Sequence, residues 1–333
     1  MYRWLVIALV ALGCGGQAPR PGKIVKKVKR EVSGAVKDAV KDAGKEVADA
    51  VKGVTDNDGD GTFVGNKTKK MTFDTPKGER FAYVHVPKGY DPSKPAPVIF
   101  VFHGGKGSST AAQNFVILWK SQLDKQAIVV FPNGQDRDPS DTAWIARDFS
   151  DRSDVDLVLQ IVDTLKAEYN VDSERIYASG FSNGGLMTTM LACHAPERFA
   201  GFAIFSQTMH KHIASECQSA KRKPVLYLAG TKEDHWPGRD FSHSAMESVE
   251  FWRKNLGCAR EPAKTDLPDQ ADGTSVQRWT FEPCKKATFE FLRVEGGEHI
   301  WPGPDLPERG ANRCTDIDGA TEVVQFFERN AGL

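Results

Sequence analysis

The octapeptide SGFSNGGL, residues 179–186, joins the apolar run Arg175-Ile176-Tyr177-Ala178 to the apolar run Met187-Thr188-Thr189-Met190-Leu191. Inside it Gly180-x-Ser182-x-Gly184 spells G-x-S-x-G. A strand that turns straight into a helix needs glycine on both sides of the bend, because a side chain there would collide with the crossing backbone. The residue between the glycines is then pushed out of the turn. On this reading SGFSNGGL is a strand–turn–helix elbow and Ser182 is a candidate nucleophile. A bare G-x-S-x-G is a weak signal, and the competing reading is a serine in an ordinary tight turn. The flanking sequence decides between them.

Outward from the elbow, apolar runs at 81–86, 97–102, 127–131, 175–179, 199–205, 224–229 and 287–294 read as strands. Amphipathic stretches at 110–125, 155–169, 184–193, 241–256 and 317–330 read as helices. Strands alternating with helices predict one α/β domain, a doubly wound and mostly parallel sheet with helices on both faces. It takes up residues 63–333 of the 333-residue chain and contains no internal repeat. Only residues 206–223 separate the strand ending at Phe205 from Pro224, which leaves little or no room for a lid over a long lipid chain.

Ahead of this domain the sequence has a different character. Residues 1–13 read as a signal peptide with Arg3 in the basic region and a short apolar stretch from Trp4 to Leu12, too short to span a bilayer. Ala11-Leu12-Gly13-Cys14 is close to a bacterial lipobox, in which Cys14 is lipidated and becomes the first mature residue. An ordinary secretory signal with an incidental cysteine is the alternative, and both readings export the protein. Residues 14–62 form a linker. Its valines and alanines from Val25 to Val54 recur every three or four residues, as on a thin-striped spacer helix, and its basic start suits anionic headgroups. The stretch Asp56-Asn57-Asp58-Gly59-Asp60-Gly61 has the alternating carboxylates of a calcium loop, but Lys67 stands where the closing glutamate belongs, so an acidic linker is the favoured reading.

Lys+Arg and Asp+Glu both number 44, so the overall balance gives no sign of a nucleic-acid partner. No C-x-x-C pair or histidine spacing argues for zinc, and no metal or cofactor is called for. Five cysteines follow Cys14, enough for two disulfides and one leftover thiol in an oxidising compartment.

Three features fall where an acyl-transfer site needs them. The strand "VIFVF" runs into His103-Gly104-Gly105, whose glycines let backbone N–H groups point at a substrate carbonyl. Together with the N–H of Asn183 they supply an oxyanion hole, with the second donor open between Gly104 and Gly105. After the run 224–229 comes Gly230-Thr231-Lys232-Glu233-Asp234, which offers a carboxylate. After the last strand comes Gly296-Gly297-Glu298-His299-Ile300-Trp301-Pro302-Gly303, which offers His299 as general base. The chain order is serine, acid, histidine.

With these residues assembled, residues 71–330 resemble the secreted α/β-hydrolases that include polyhydroxybutyrate depolymerases and feruloyl or acetylxylan esterases. "RFAYVHVP", "PVIFVFHGG", "DSERIYASGFSNGGLMTTMLAC", the Gly230-Thr231 turn and "GGEHIWPG" carry the resemblance. It implies the α/β-hydrolase fold, Ser182 as nucleophile, His299 as base, and Trp301 and His103 in contact with substrate. It also implies disulfides Cys193–Cys217 and Cys258–Cys284, with Cys314 having no counterpart. The acid loop departs from the family's Gly-Thr-x-Asp: family-like spacing from Gly230, with Pro237 in register, favours Glu233, whereas residue type favours Asp234.

The function expected is a serine carboxylic ester hydrolase for polyhydroxyalkanoate-type, feruloyl or acetyl esters. Trp144, Trp236 and Trp301 are candidates for flat contacts with a polymeric or aromatic substrate, or for the core. The partners expected are that substrate and a membrane reached through lipid at Cys14. A serine peptidase of the same fold and a non-catalytic surface-binding lipoprotein are the alternatives.

Overall fold

The computed structural model describes residues 68–105, 118–138, 141–144, 150–217, 221–233, 242–299, 301–303 and 314–333. All of them lie in the unit Val54–Leu333. The expected signal peptide and linker helix, Cys14, the Asp56–Gly61 stretch, Asp234 and Trp236 lie outside the described residues.

Along the chain come β1 (Thr68–Thr75), β2 (Gly78–His85), β3 (Ala96–Phe102), β4 (Ile128–Pro132), β5 (Gln135–Asp138), β6 (Asp141–Ala143), α1 (Ser153–Glu168) and β7 (Val171–Phe181). They are followed by α2 (Asn183–His194), β8 (Gly201–Phe205), α3 (Lys211–Glu216), β9 (Val225–Gly230) and α4 (Ala245–Leu256). β10 (Ala263–Asp266), β11 (Ser275–Phe281), β12 (Phe289–Glu295) and α5 (Gly319–Ala331) complete the order. Ten strands form one sheet in the order β1-β2-β4-β3-β7-β8-β9-β12-β11-β10. From β4 to β12 the neighbours run parallel, while the β1–β2 and β10–β11 flanks are antiparallel. β5 and β6 pair separately as a small antiparallel hairpin.

The apolar runs are continuous rather than alternating because the central strands are covered on both faces. On β3, Val98, Phe100 and Phe102 face α1, α2 and α4 through one core, while Ile99 and Val101 face α5 through the other. α5 fills its side with Val323, Phe326 and Phe327, and Phe327 stacks on Tyr177 of β7 at 4.6 Å. α4 is held at both ends, by a capping box between Ser244 and Glu247 and by left-handed Gly257 after its last turn. Disulfides join Cys193 to Cys217 and Cys258 to Cys284, and Cys314 is a buried free thiol.

Two expectations change. The helix over 110–125 does not reach Lys125: from Trp119 the chain makes successive turns, Gln122 N–H to the Trp119 carbonyl and Lys125 N–H to the Gln122 carbonyl, while 110–117 lie outside the described residues. Strands β1, β5, β6, β10 and β11 are additional. β10 is exposed along its whole length and so carries no apolar period to read.

Among the strands, β3 pairs with β4 on one side and with β7 on the other. This is where the winding direction reverses, and the crevice beyond the carboxyl ends of β3 and β7 is the natural binding place in such a sheet. His103 and Ser182 both sit at that edge.

Candidate active site

β7 ends at Phe181 and α2 begins at Asn183, so Ser182 alone makes the bend. Its backbone has φ 55° and ψ −118°, a conformation that L-residues avoid. The surroundings impose it. Ser182 N–H donates to the Phe205 carbonyl at 2.8 Å, and the Ser182 carbonyl accepts from Leu186 N–H at 3.0 Å. A Cβ on Gly180 would lie 2.2 Å from the Gly184 carbonyl oxygen, and one on Gly184 would lie 2.1 Å from that of Phe102. The two glycines read in the sequence are therefore demanded by backbone crossing backbone.

His299 Nε2 lies 2.7 Å from Ser182 Oγ, and His299 Nδ1 lies 2.9 Å from Glu233 Oε2. A carboxylate only accepts, so Nδ1 carries the proton and Nε2 is left to accept from the serine hydroxyl. The second carboxylate oxygen, Glu233 Oε1, accepts from Gly230 N–H at 2.8 Å and from Ser206 Oγ at 2.9 Å. The loops that carry acid and histidine are stitched to each other: Lys232 N–H donates to the Gly297 carbonyl, and Thr231 N–H to that of Val294. Glu233, one of the two candidate acids, is brought to His299; Asp234 lies outside the described residues. The Glu233 side chain is 8% exposed and the His299 side chain 20%, so the carboxylate end of the row is shielded and the histidine opens toward solvent. The Phe181 ring packs against the His299 imidazole at 4.9 Å.

On the other side of Ser182 lie Gly104 and Gly105. A Cβ on Gly104 would come 3.5 Å from Ser182 Cβ, and one on Gly105 3.3 Å from Asn183 Cβ. His103 does not face this crevice. It is 1% exposed, its Nε2 accepts from Gly134 N–H at 2.9 Å, and its Nδ1 donates to the Gly104 carbonyl at 2.7 Å. Its expected contact with substrate is thus corrected to a place behind the glycine turn. Trp144 is buried beside it, donating its indole N–H to the His103 carbonyl at 2.9 Å. The Trp144 backbone pairs with the Asn183 side-chain amide in both directions, at 2.6 and 3.1 Å. Behind these, the buried Arg80–Asp154 ion pair holds the Asn133 carbonyl through Arg80 Nη2.

Trp301 is likewise corrected. It is 4% exposed and packs on Phe205 at 4.7 Å, with Gly319 of α5 tight against its indole. So large an apolar ring gains most from burial beneath the histidine loop. Ser206, which touches the acid, was not legible in the sequence: it follows an apolar run with no spacing or motif to single it out.

A family model described as "Putative esterase" matches residues 74–258. A bifunctional acetylxylan esterase/xylanase of Neocallimastix patriciarum is 26% identical over 234 residues, covering 69% of this chain and 32% of that protein. Feruloyl esterase B of Piromyces equi is 27% identical over 235 residues, covering 66% of this chain and 42% of that protein. The match therefore spans less than half the length of these two relatives. Among solved structures, acetyl xylan esterase from Aspergillus awamori superposes with a TM-score of 0.53 at 16% identity, over 78% of this chain and 98% of the other, and shares the α/β-hydrolase fold. By its matched core and its sheet, this chain belongs to the esterase family of α/β-hydrolases.

Proposed function

We propose that the protein is a serine carboxylic ester hydrolase. The observation that carries this reading is the unbroken row from Ser182 Oγ through His299 to Glu233, with links of 2.7 and 2.9 Å, set on a strained turn at the carboxyl ends of parallel strands. His299 Nε2 takes the Ser182 proton as the alkoxide attacks the ester carbonyl, and Glu233 stabilises the imidazolium. The imidazolium then protonates the departing alcohol. Water, deprotonated by the same nitrogen, releases the acid from the acyl-serine.

The oxyanion is held by the N–H groups of Asn183 and Gly105. In a trans peptide the carbonyl of one residue and the N–H of the next point opposite ways. The Gly104 carbonyl is turned back onto His103, so the Gly105 N–H is turned outward beside Asn183. This supports Gly105 over Gly104 as the second donor.

Acetyl and feruloyl esters are the first substrates to try, because relatives are named for them, followed by hydroxyalkanoate oligomers. Two disulfides suit an exported protein, and lipid at Cys14 would tether it. The test is hydrolysis of p-nitrophenyl acetate and butyrate, methyl ferulate and hydroxybutyrate oligomers beside a peptide amide panel. Turnover of esters that disappears in Ser182→Ala is expected; amide cleavage without ester turnover would replace the reading with a peptidase. Membrane fractionation of wild type against Cys14→Ser tests the anchor, and equal partition of the two would remove it.

A further inference from the structure

Ser206 stands immediately after β8 with φ 52°, in the left-handed region that glycine enters freely and other residues seldom do. It is 1% exposed. Its N–H donates to the Leu228 carbonyl on β9 at 2.8 Å, and its hydroxyl donates to Glu233 Oε1 at 2.9 Å. The carbonyl of the preceding residue, Phe205, accepts from Ser182 N–H. One dipeptide at the end of β8 therefore grips both ends of the row, the nucleophile by its backbone and the acid by its side chain.

The chemistry of the acid gives this grip a purpose. A glutamate has one more rotatable bond than an aspartate, and a carboxylate that swings loses its hold on the imidazole. Gly230 N–H and Ser206 Oγ both point at Oε1, which fixes the plane of the carboxylate and leaves Oε2 on His299 Nδ1. A serine in a left-handed conformation, where glycine would be free of strain, is the kind of local cost kept for a function.

Building on the ester-hydrolase reading, we propose that Ser206 is a positioning residue for the acid: its left-handed backbone aims the hydroxyl at Glu233 and thereby holds the glutamate against His299. Ser206 touches no substrate and acts only through Glu233.

The test compares Ser206→Gly with Ser206→Ala in the whole protein. Both remove the hydroxyl; only glycine also relieves the backbone. Three quantities are read: the rate at which a fluorophosphonate labels Ser182, kcat and KM on p-nitrophenyl acetate, and Tm. A lost hydrogen bond to a charged group predicts a fall of roughly 10- to 100-fold in labelling rate and kcat in both variants, with KM changed by less than about twofold. Tm should be higher in Ser206→Gly than in Ser206→Ala, so activity and stability part company. In a Glu233→Gln background, Ser206→Gly should cost less than about threefold more, because the two residues act as one unit. Unchanged rates in Ser206→Gly, rates that simply follow Tm, or a full loss persisting in the Glu233→Gln background would each overturn the proposal. Wild type that is labelled but hydrolyses no ester would overturn the ester reading alone, and the labelling rates would still decide on Ser206. Absence of labelling in wild type would overturn both.

Discussion

Glu233, on the loop after β9, meets His299, on the loop after β12, through a 2.9 Å bond from His299 Nδ1–H to the carboxylate. These residues are 66 apart in sequence and meet because β9 and β12 are parallel neighbours whose carboxyl ends open onto one place. Replacing the carboxylate by an amide puts a donor against the Nδ1 proton and favours the wrong tautomer. Glu233→Gln should lower kcat by about 10³- to 10⁴-fold while leaving Tm near that of wild type. Asp234→Asn, on the same ester, should change kcat less than about threefold, because Glu233 already fills the acid's place at His299 Nδ1. A large loss only in Asp234→Asn would reassign the acid.

His103 offers a finer test of the glycine turn. An asparagine places its amide where Nδ1 lies, and a glutamine places its amide nearer Nε2. His103→Asn should keep the hydrogen bond to the Gly104 carbonyl, and His103→Gln should keep the one to Gly134. If the Gly105 N–H is the second oxyanion donor, misdirecting it costs about 10²-fold or more in kcat. Steady-state kinetics should therefore show His103→Asn clearly faster than His103→Gln, with similar KM; equal losses would mean that the ring serves packing alone.

The elbow glycines carry a stability prediction with an internal control. A Cβ at Gly184 would sit 2.1 Å from the Phe102 carbonyl oxygen, whereas nothing lies within 4 Å of one at Gly89. Gly184→Ala should lose more than about 3 kcal/mol or fail to fold, since strand β3 has no room to move back. Gly89→Ala should stay within about 0.5 kcal/mol of wild type. Urea unfolding of the two variants gives the comparison.

Asp272 ties the turn before β11 to the segment before α5, accepting from Thr274 and from both the N–H and the hydroxyl of Thr315. Partial burial works against its charge, but these donors outweigh it and hold the carboxyl down at about 2, against an ordinary 3.8. A depressed carboxylate stabilises the fold above its unfolded pKa, and that stabilisation fades as pH falls from about 4 to about 2. The Tm gap between wild type and Asp272→Asn should thus be open at pH 7 and narrow below pH 4. A gap constant across that range would remove the role of the charge.

Cys314 is 1% exposed, and burial pushes its thiol up to about 11. Thiolates are what alkylating agents attack. Iodoacetamide should leave Cys314 untouched in the folded protein at pH 8 and modify it in 6 M guanidinium, as read by peptide mass spectrometry; rapid native alkylation would show that this segment opens.

The elbow, the central strands and the histidine loop were legible in the sequence because their signals are local. Gly180 and Gly184 flank Ser182 within one turn, the buried strands are unbroken apolar runs, and Gly296-Gly297 precede His299 at the end of the last such run. The spacing from Gly230 also favoured Glu233, since a strand end fixes where a loop backbone begins. What lay beyond reach depends on residues distant in the chain. β10 is hydrophilic along its length and is recruited by pairing with β11, so no period announces it. His103 looked like a substrate contact because it follows β3 beside the glycines, yet Gly134 and the Gly104 carbonyl use both ring nitrogens behind the turn. Trp301 looked like a pocket wall, yet Phe205 and Gly319 enclose it. Ser206 is one serine among many until β8 and β9 lie side by side and set its hydroxyl 2.9 Å from Glu233. Sequence alone determined which residue types carry chemistry and which elements hold them; which way each side chain faces was decided by packing, because a hydrogen-bond partner 27 or 31 residues away exists only once the sheet has formed.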